Sequence, residues 1–447
     1  MLPETKNNKI WVWFSTVLII AVLLRLVMFF TYPQVTYSDT HSYRRTAETV
    51  LNGFQAYDGT RTPGYPAFMA LIGTDQMVYA VQLFLGLLIT LAFFYIGWKL
   101  SDSPAFGAAA ALAHTLNVGQ LFFEANLLTE TLTTFWLVLA MLGTFSWLKY
   151  PHKRSFWLAL GIGLSSSLAV LTRPLFIFMP IWLTLFLTFT FEEKRIRVNW
   201  RPLVAVMLPA ILLIGGWMSW VNARYHVFNL TTMGGFHLMQ HTGYYFEDVP
   251  DENALLRDTY LKYRDARIKA YGTQGNTIWD AIPELQEVSG LGFYDLSRTL
   301  QGISIDLIKT HPGQYLKYVL KGWWFFWRAP VYWSADSLMI PALLPIVKTS
   351  ITASRVLLFG INLLFILSSL LALVWRRLRE LWRLNFFMWL MAGSVWATSV
   401  LQTLLDHGDN PRFLVPLQSV VVFWVLWIAY QSLFTWRQSR HVVYKTS

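Results

Sequence analysis

The stretch from Ile10 to Phe30, IWVWFSTVLIIAVLLRLVMFF, decides the class of fold, because it is apolar over the length of a bilayer crossing. A helix of roughly 20 residues spans a hydrocarbon core about 30 Å thick. Arg25 is its one charged residue, and no small-residue cleavage pattern of a secretory signal peptide follows it. We therefore expect this segment to be retained as a membrane-spanning helix.

Similar apolar stretches recur along the chain, in which 55% of the residues are apolar and 14% are charged. They predict an all-α polytopic membrane protein with about ten transmembrane helices. The 22 tryptophans and 20 tyrosines suit aromatic belts at two membrane interfaces. After the first, the expected spans lie near 77–98, 104–122, 126–148, 155–172, 175–191, 202–222, 355–375, 384–405 and 413–436.

Basic residues alternate between the connections, and this alternation predicts the orientation. The connections at 149–154, 194–201 and 376–383 are strongly basic, whereas the short opposite connections carry Arg173 and Arg412 as lone cations. By the positive-inside rule, both termini are cytoplasmic and the number of spans is even. Much of the net charge of +11 is then explained by topology, and we expect no nucleic-acid partner.

Two segments on the non-cytoplasmic side are longer, and we name them the first loop segment, residues 31–76, and the large loop segment, residues 223–354. They divide the chain into an N-terminal membrane core over 1–222, the large loop segment, and C-terminal membrane helices over 355–447. Within the large loop segment, Leu296, Leu300 and Leu307 recur at helical spacing. This pattern predicts an amphipathic helix, which we expect to lie on the outer leaflet.

The absence of cysteine excludes disulfides, thiolate metal sites and cysteine nucleophiles. Six histidines fall in the non-cytoplasmic segments, where Asp39, Asp406 and Asp409 supply further ligand types. No tight spacing such as HExxH joins them. We therefore expect no metal or other cofactor, and a divalent cation remains the open alternative.

The first loop segment has a distinctive order of short motifs. An acid follows the first span in Tyr37–Tyr43, then comes a short helical pattern ending at Gly53, and then Arg61–Pro66, read RTPGYP. Further short motifs follow on later spans: Leu128–Leu132 (LTETL), Leu171–Pro174 (LTRP), His311-Pro312 with Tyr315-Leu316, and Asn410–Pro416 (NPRFLVP). In this order, the chain resembles the C-type, multi-spanning glycosyltransferases of family 39. That group includes the protein O-mannosyltransferases and the lipid A aminoarabinose transferases.

The resemblance implies the C-type glycosyltransferase fold and a polyprenyl-phosphate sugar donor, with inversion by direct displacement. It also implies an acceptor glycan, lipid or protein that reacts at the outer face of the membrane. The protein would then lie in a bacterial inner or cytoplasmic membrane, in contact with membrane lipids. The family's catalytic carboxylate in the first outer loop points to Asp39 here. Many members carry an acidic pair at this point, whereas Asp39 is followed by Thr40 and His41.

The residue types favour the same chemistry independently. Displacing a phosphate from a sugar needs a base for the incoming hydroxyl and cations for the departing phosphate. Asp39 is the candidate base, although a helix cap or solvated acid is an alternative for it. Arg61, Arg173 and Arg412 are the candidate phosphate ligands, with headgroup binding as their alternative.

Glu130 is a second catalytic candidate, because an acid at membrane depth is costly and so marks a functional site, or else forms an ion pair with an arginine such as Arg173. The remaining candidates for substrate binding are His41, Tyr65, Glu124 and His407.

Two other classes of function stay open at this level. A secondary transporter or lipid flippase is the first alternative, although the titratable residues crowd one side and no internal repeat stands out. A non-catalytic lipid-binding or assembly protein is the second. The sequence indicates neither the sugar nor the acceptor.

Overall fold

The structure is a computed structural model that describes residues 4–192, 195–408 and 410–446. Apart from one short hairpin, its regular elements are helices. Proline and capping side chains set many of their ends. Thr74 caps α4 by accepting from the Met77 amide, and Arg173 ends α8 because Pro174 follows it. The first elements are α1 (Glu4–Thr31), α2 (Ser38–Leu51), α3 (Gly64–Ile72), α4 (Asp75–Ser101), α5 (Pro104–Thr115), α6 (Val118–Ala125), α7 (Glu130–Lys149), α8 (Phe156–Thr172) and α9 (Met179–Thr188).

The hairpin and the helices of the large loop segment follow. β1 (Phe189–Glu192) and β2 (Arg195–Val198) pair antiparallel, with Phe189 opposite Val198. A π-helical turn over Ala210–Gly215 connects the helix that ends at Pro209 to the helix that begins at Gly216. The helices are α10 (Arg201–Pro209), α11 (Gly216–Tyr225), α12 (Gly234–Thr242), α13 (Ala254–Tyr271), α14 (Thr277–Ser289), α15 (Phe293–Thr310) and α16 (Pro312–Phe326).

The chain closes with α17 (Leu344–Val374), α18 (Arg376–Leu381), α19 (Phe386–Leu405) and α20 (Val415–Thr446). Among the described residues, seven helical stretches are long and apolar enough to cross a bilayer, and they fit an integral all-α membrane protein. They are Asn8–Thr31, Asp75–Ser101, Glu130–Lys149, Arg201–Tyr225, Pro341–Val374, Phe386–Leu405 and Asn410–Thr435.

The other three expected spans are shorter helices. The 104–122 segment breaks into α5 and α6 because Asn117 caps a new helix, and the Arg173-Pro174 break separates α8 from the helical stretch over 174–188. Crossing of the membrane by these three segments, and a total of ten, remains a prediction. The spans differ in how much of their most apolar part is buried within the protein. The buried share is 67% for Asn410–Thr435 and 61% for Glu130–Lys149, against 17% for Asn8–Thr31. α7 and α20 are therefore central, and α1 is peripheral.

The large loop segment has a hydrophobic core of its own. Leu296, Leu300 and Leu307 of α15 are buried against Phe236, Tyr260 and other apolar residues of α12 to α14. The amphipathic pattern of α15 is thus confirmed, and its apolar face packs against protein, whereas the position of this segment on the outer leaflet stays a prediction. The same periodicity serves burial against lipid or against protein, and here the neighbouring helices cover it.

Candidate active site

Asp39, in the first turn of α2, is held by two arginines from distant parts of the chain. Arg61 Nη2 lies 2.6 Å from Asp39 Oδ1, and Arg412 Nη1 lies 2.8 Å from Asp39 Oδ2. Each carboxylate oxygen therefore accepts a charge-assisted hydrogen bond. The first loop segment and the turn before α20 meet at this carboxylate.

Glu130, the first residue of α7, forms the second half of the cluster. Its Oε1 accepts from Arg173 Nη1 at 2.9 Å and also from Arg412 Nε. The side chain of Glu130 is fully buried, and its Oε2 has no hydrogen-bond partner among the described residues. Arg412 thus bridges both carboxylates, and the expected pairing of Glu130 with Arg173 is present. We call these five residues, Asp39, Arg61, Glu130, Arg173 and Arg412, the arginine–carboxylate cluster.

Each of the three guanidinium groups lies over an aromatic ring. Arg61 lies 4.7 Å from the ring centroid of Tyr43, and Arg173 lies 4.4 Å from that of Phe413. Arg412 lies 5.7 Å from the ring of Tyr332. Guanidinium groups over aromatic faces are attracted by the ring quadrupole. This support limits the directions in which each fork of donors can point.

Backbone pairing sets the position of Asp39 relative to Glu130. The Val35 amide donates to Ala125 O at 3.0 Å, and the Leu127 amide donates to Val35 O at 2.9 Å, as in a parallel β-bridge. One turn later, Thr40 Oγ1 donates to Leu127 O at 3.0 Å. The segment that enters α2 is therefore fastened to the segment that enters α7, and each helix begins with a carboxylate of the cluster.

Exposure and charge change across the cluster. The side chains of Asp39 and Arg61 are 28% and 23% exposed, whereas those of Arg173 and Arg412 are 8% and 10% exposed. Burial disfavours the charged form of Asp39, but Arg61 and Arg412 outweigh it and hold the pKa of that carboxyl well below its usual range. Asp39 is thus an ionised carboxylate at neutral pH, and the solvent-facing end of the cluster is where a ligand can reach it.

The other four candidates lie outside the arginine–carboxylate cluster. His41 is exposed on α2. Tyr65 is buried edge-on to Tyr43 and donates to Gln82 Oε1 at 2.9 Å. Glu124 is buried in a separate ion pair with Arg25, at 2.7 Å. His407 is buried against the large loop segment, beside His241.

No group of three or more histidine, aspartate or glutamate side chains within the described ranges is arranged to hold a metal ion. Asp409, one of the proposed ligand types, lies outside the described residues. Asp406 is engaged instead with His237, whose Nδ1 lies 3.0 Å from its Oδ2.

Several residues that contact the arginines of the cluster were not predicted from the sequence. Ser42 Oγ accepts from Arg61 Nε at 3.0 Å, and Tyr43 lies beneath the same guanidinium. Both follow Asp39 by one helical turn, so helical spacing from Asp39 is a signal that could have found them. Phe413 and Tyr332 carry no comparable signal, because their approach depends on the tertiary fold.

Comparison of the chain with family models, with curated proteins and with solved structures finds no match. The fold and the cluster alone therefore define the class: a helical membrane protein in which three arginines and two carboxylates converge at one end of the spanning helices.

Proposed function

We propose that the chain transfers a sugar from a polyprenyl-phosphate donor to an acceptor at the non-cytoplasmic face of the membrane. The observation that carries the proposal is the arginine–carboxylate cluster itself. Its residues come from α2, the first loop segment, α7 and the turns before α9 and α20, yet they join in one ion-paired network. Three guanidinium groups face two carboxylates, and the excess of one cation suits a phosphodiester with one negative charge.

The reaction assigned to this site is a displacement at the anomeric carbon. An acceptor hydroxyl oxygen forms the new bond to that carbon as the bond to the donor phosphate oxygen breaks, which inverts the configuration. Asp39 takes the hydroxyl proton, and the leaving polyprenyl phosphate keeps the electron pair. Arg61, Arg173 and Arg412 stabilise the charge that develops on this leaving group.

The ion pairs of Asp39 suggest how donor binding activates the base. While Arg61 and Arg412 hold the carboxylate, its low pKa makes it a weak base. A donor phosphate competes for the same guanidinium groups and so withdraws positive charge from Asp39. The pKa of Asp39 then rises toward its ordinary value, and proton abstraction begins only after the donor is in place.

Glu130 has a positioning role in this proposal. It holds Arg173 and Arg412 through one oxygen, while the buried Oε2 has no partner among the residues that the structure describes. Buried carboxylate oxygens are nearly always hydrogen-bonded, so this atom is available to accept a hydroxyl of the bound sugar.

A panel of polyprenyl-phosphate sugars, incubated with the purified protein and membrane acceptors, tests the proposal by mass spectrometry of the products. We expect one donor to yield a glycosylated product and free polyprenyl phosphate. Asp39→Asn should lower the rate by about 10² to 10⁴, the usual contribution of a general base. Glu48→Gln, at an exposed acid on the same helix, is the matched control. A fully active Asp39→Asn protein would remove the assignment of the base.

A further inference from the structure

A cavity of about 320 Å³ lies between the 226–234 loop and one face of α15. Its volume is in the range of small-molecule sites. The α15 residues Tyr294, Arg298 and Gln301 stand at intervals of four and three, so they share one face of the helix. The loop opposite contributes His226, Phe228 and Asn229.

The charge of the cavity favours an anionic ligand. Among the residues that line it, the ionisable side chains that can carry a positive charge are His226 and Arg298, and none is acidic. Arg298 is exposed and forms no ion pair with any described residue. A free guanidinium offers a planar fork of donors that matches a phosphate or a carboxylate.

The remaining lining suits a polyhydroxylated ligand. Asn229 and Gln301 supply amide donors and acceptors, and Thr231 supplies a hydroxyl. Phe228 is 60% exposed, so its ring is free to contact the apolar face of a pyranose. Amides, hydroxyls and an exposed ring around one cation together match a saccharide that bears an acidic group.

The cavity is connected to the arginine–carboxylate cluster by a short, fixed path. Thr232 lines the cavity, and its amide and hydroxyl donate to Gly59 O at 2.9 and 3.1 Å. Gly59 has φ +80°, and a Cβ there would lie 2.7 Å from Thr232, so this contact requires glycine. Arg61 follows two residues later. The same loop therefore supports the cavity wall and delivers a guanidinium to Asp39.

We propose that this cavity binds an anionic saccharide, carrying a phosphate or carboxylate group, as part of the acceptor. The naming of the ligand as acceptor rests on the proposed sugar transfer. Binding of the anionic saccharide does not rest on it, because the cavity's charge and lining are independent of the reaction.

Binding of glucose 6-phosphate to the detergent-purified full-length protein, measured by titration calorimetry, tests the proposal. Arg298→Ala should weaken binding by about tenfold or more, as expected for loss of a hydrogen bond to a charged group. Lys309→Gln, at an exposed cation on the same helix, is the matched control and should bind as the wild type does. Unlabelled glucose, which lacks the charge, should not compete at the same concentration.

Equal binding by the wild type and Arg298→Ala overturns the proposal, since the probe then binds elsewhere, for example at the cluster. Competition by neutral glucose overturns the anionic specificity. With the donor and acceptor found by the panel, Arg298→Ala should raise the acceptor KM and leave kcat unchanged. If Arg298→Ala loses glucose 6-phosphate binding but the wild type turns over no donor, the binding of an anionic saccharide in the cavity is supported and the sugar transfer is rejected. Turnover with an unchanged acceptor KM would do the reverse.

Discussion

At the scale of single residues, Arg412 is the member of the arginine–carboxylate cluster that joins its two carboxylates. Its Nη1 binds Asp39 while its Nε binds Glu130. Only a planar fork with several donors can join two carboxylates in this way, because an ammonium is a compact point charge. We predict that Arg412→Lys lowers the transfer rate about 10²-fold, the scale for loss of one preorganised donor.

The measurement is the initial rate of donor consumption, with the thermal midpoint as a check of folding. Arg377→Lys, at an exposed arginine remote from the cluster, is the control. An Arg412→Lys protein with wild-type rates would show that the bridge between the carboxylates is structural.

The sequence predicted which residues form the cluster and the pairing of Glu130 with Arg173, but not the two pairings of Arg412. Arg173 and Arg412 stand out because each lies beside a proline in a connection otherwise poor in charge. Glu124 and Glu130 look alike in sequence, yet α6 ends at Ala125 and α7 begins at Glu130. Because of the non-helical residues between them, the two acids lie apart: Glu124 pairs with Arg25, and Glu130 pairs with Arg412. Periodicity cannot reveal this division, since it depends on the path of four non-helical residues.

At the scale of elements, the fastening of α2 to the segment before α7 sets the distance between the two carboxylates. Thr40, which is fully buried, donates to Leu127 O and accepts from the Tyr37 amide at 2.9 Å. Thr40→Val keeps the shape and removes both bonds. We predict a fall in kcat of about tenfold or more, because small misplacements of catalytic groups are costly.

Thr46→Val is the control, since Thr46 is also buried on α2 but donates only to Ser42 O within the helix. Both variants should express and elute alike, and rates are compared at saturating donor. Equal rates for the two variants would show that the Thr40 contact does not position Asp39.

A second element-scale prediction concerns pH. His241 of α12 and His407 after α19 are buried with ring centroids 5.4 Å apart. Burial lowers the pKa of each histidine to about 4. The charge of His407 lowers the pKa of His241 further, and the charge of Lys321 lowers the pKa of His407 further. Asp406 and Tyr315 also face the pair. Between pH 6.5 and 4 the unfolded chain therefore binds more protons than the folded one, so stability falls on acidification.

The expected loss is at most roughly 3 kcal/mol per histidine across this window. Thermal midpoints of the wild type should fall more steeply from pH 7 to pH 4.5 than those of a His241→Gln/His407→Gln double variant. His152→Gln, at an exposed histidine, should follow the wild type. Parallel curves for the double variant and the wild type would contradict the assignment of buried neutral rings.

The helical periodicity of α15 was predictable from sequence, and the surface that covers it was not. Its leucines meet Phe236, Tyr260 and Leu285 from helices that contain no long apolar run. Because the sequence predicts a membrane protein, lipid is the expected contact of any apolar helix face. The separate core formed because four helices of the large loop segment bury their apolar faces together.

At the scale of the whole molecule, the alternation of basic connections predicts both termini inside and the first loop segment outside. The chain has no cysteine, so single cysteines can report topology without a background. We predict that Glu48→Cys reacts with a membrane-impermeant maleimide in intact cells or spheroplasts. Arg377→Cys should react only after permeabilisation. The opposite pattern would place the cluster on the cytoplasmic side.

The membrane character of the chain was accessible from sequence because it depends on segment length and apolarity. Seven of the expected spans meet those criteria as helices among the described residues. The segments at 104–122, 155–172 and 175–191 fall short because Asn117 and Pro174 interrupt them. Such interruptions place polar groups among the packed helices, and the cluster lies next to the Arg173-Pro174 break.

The most direct test of the central claim is the chemical form of the donor lipid after incubation with the protein in liposomes. Mass spectrometry distinguishes free polyprenyl phosphate from intact donor. Sugar transfer predicts free polyprenyl phosphate in amounts that match the glycosylated acceptor, and none with Asp39→Asn. Intact donor that has moved between leaflets, with no free polyprenyl phosphate, would contradict the account and favour a lipid flippase.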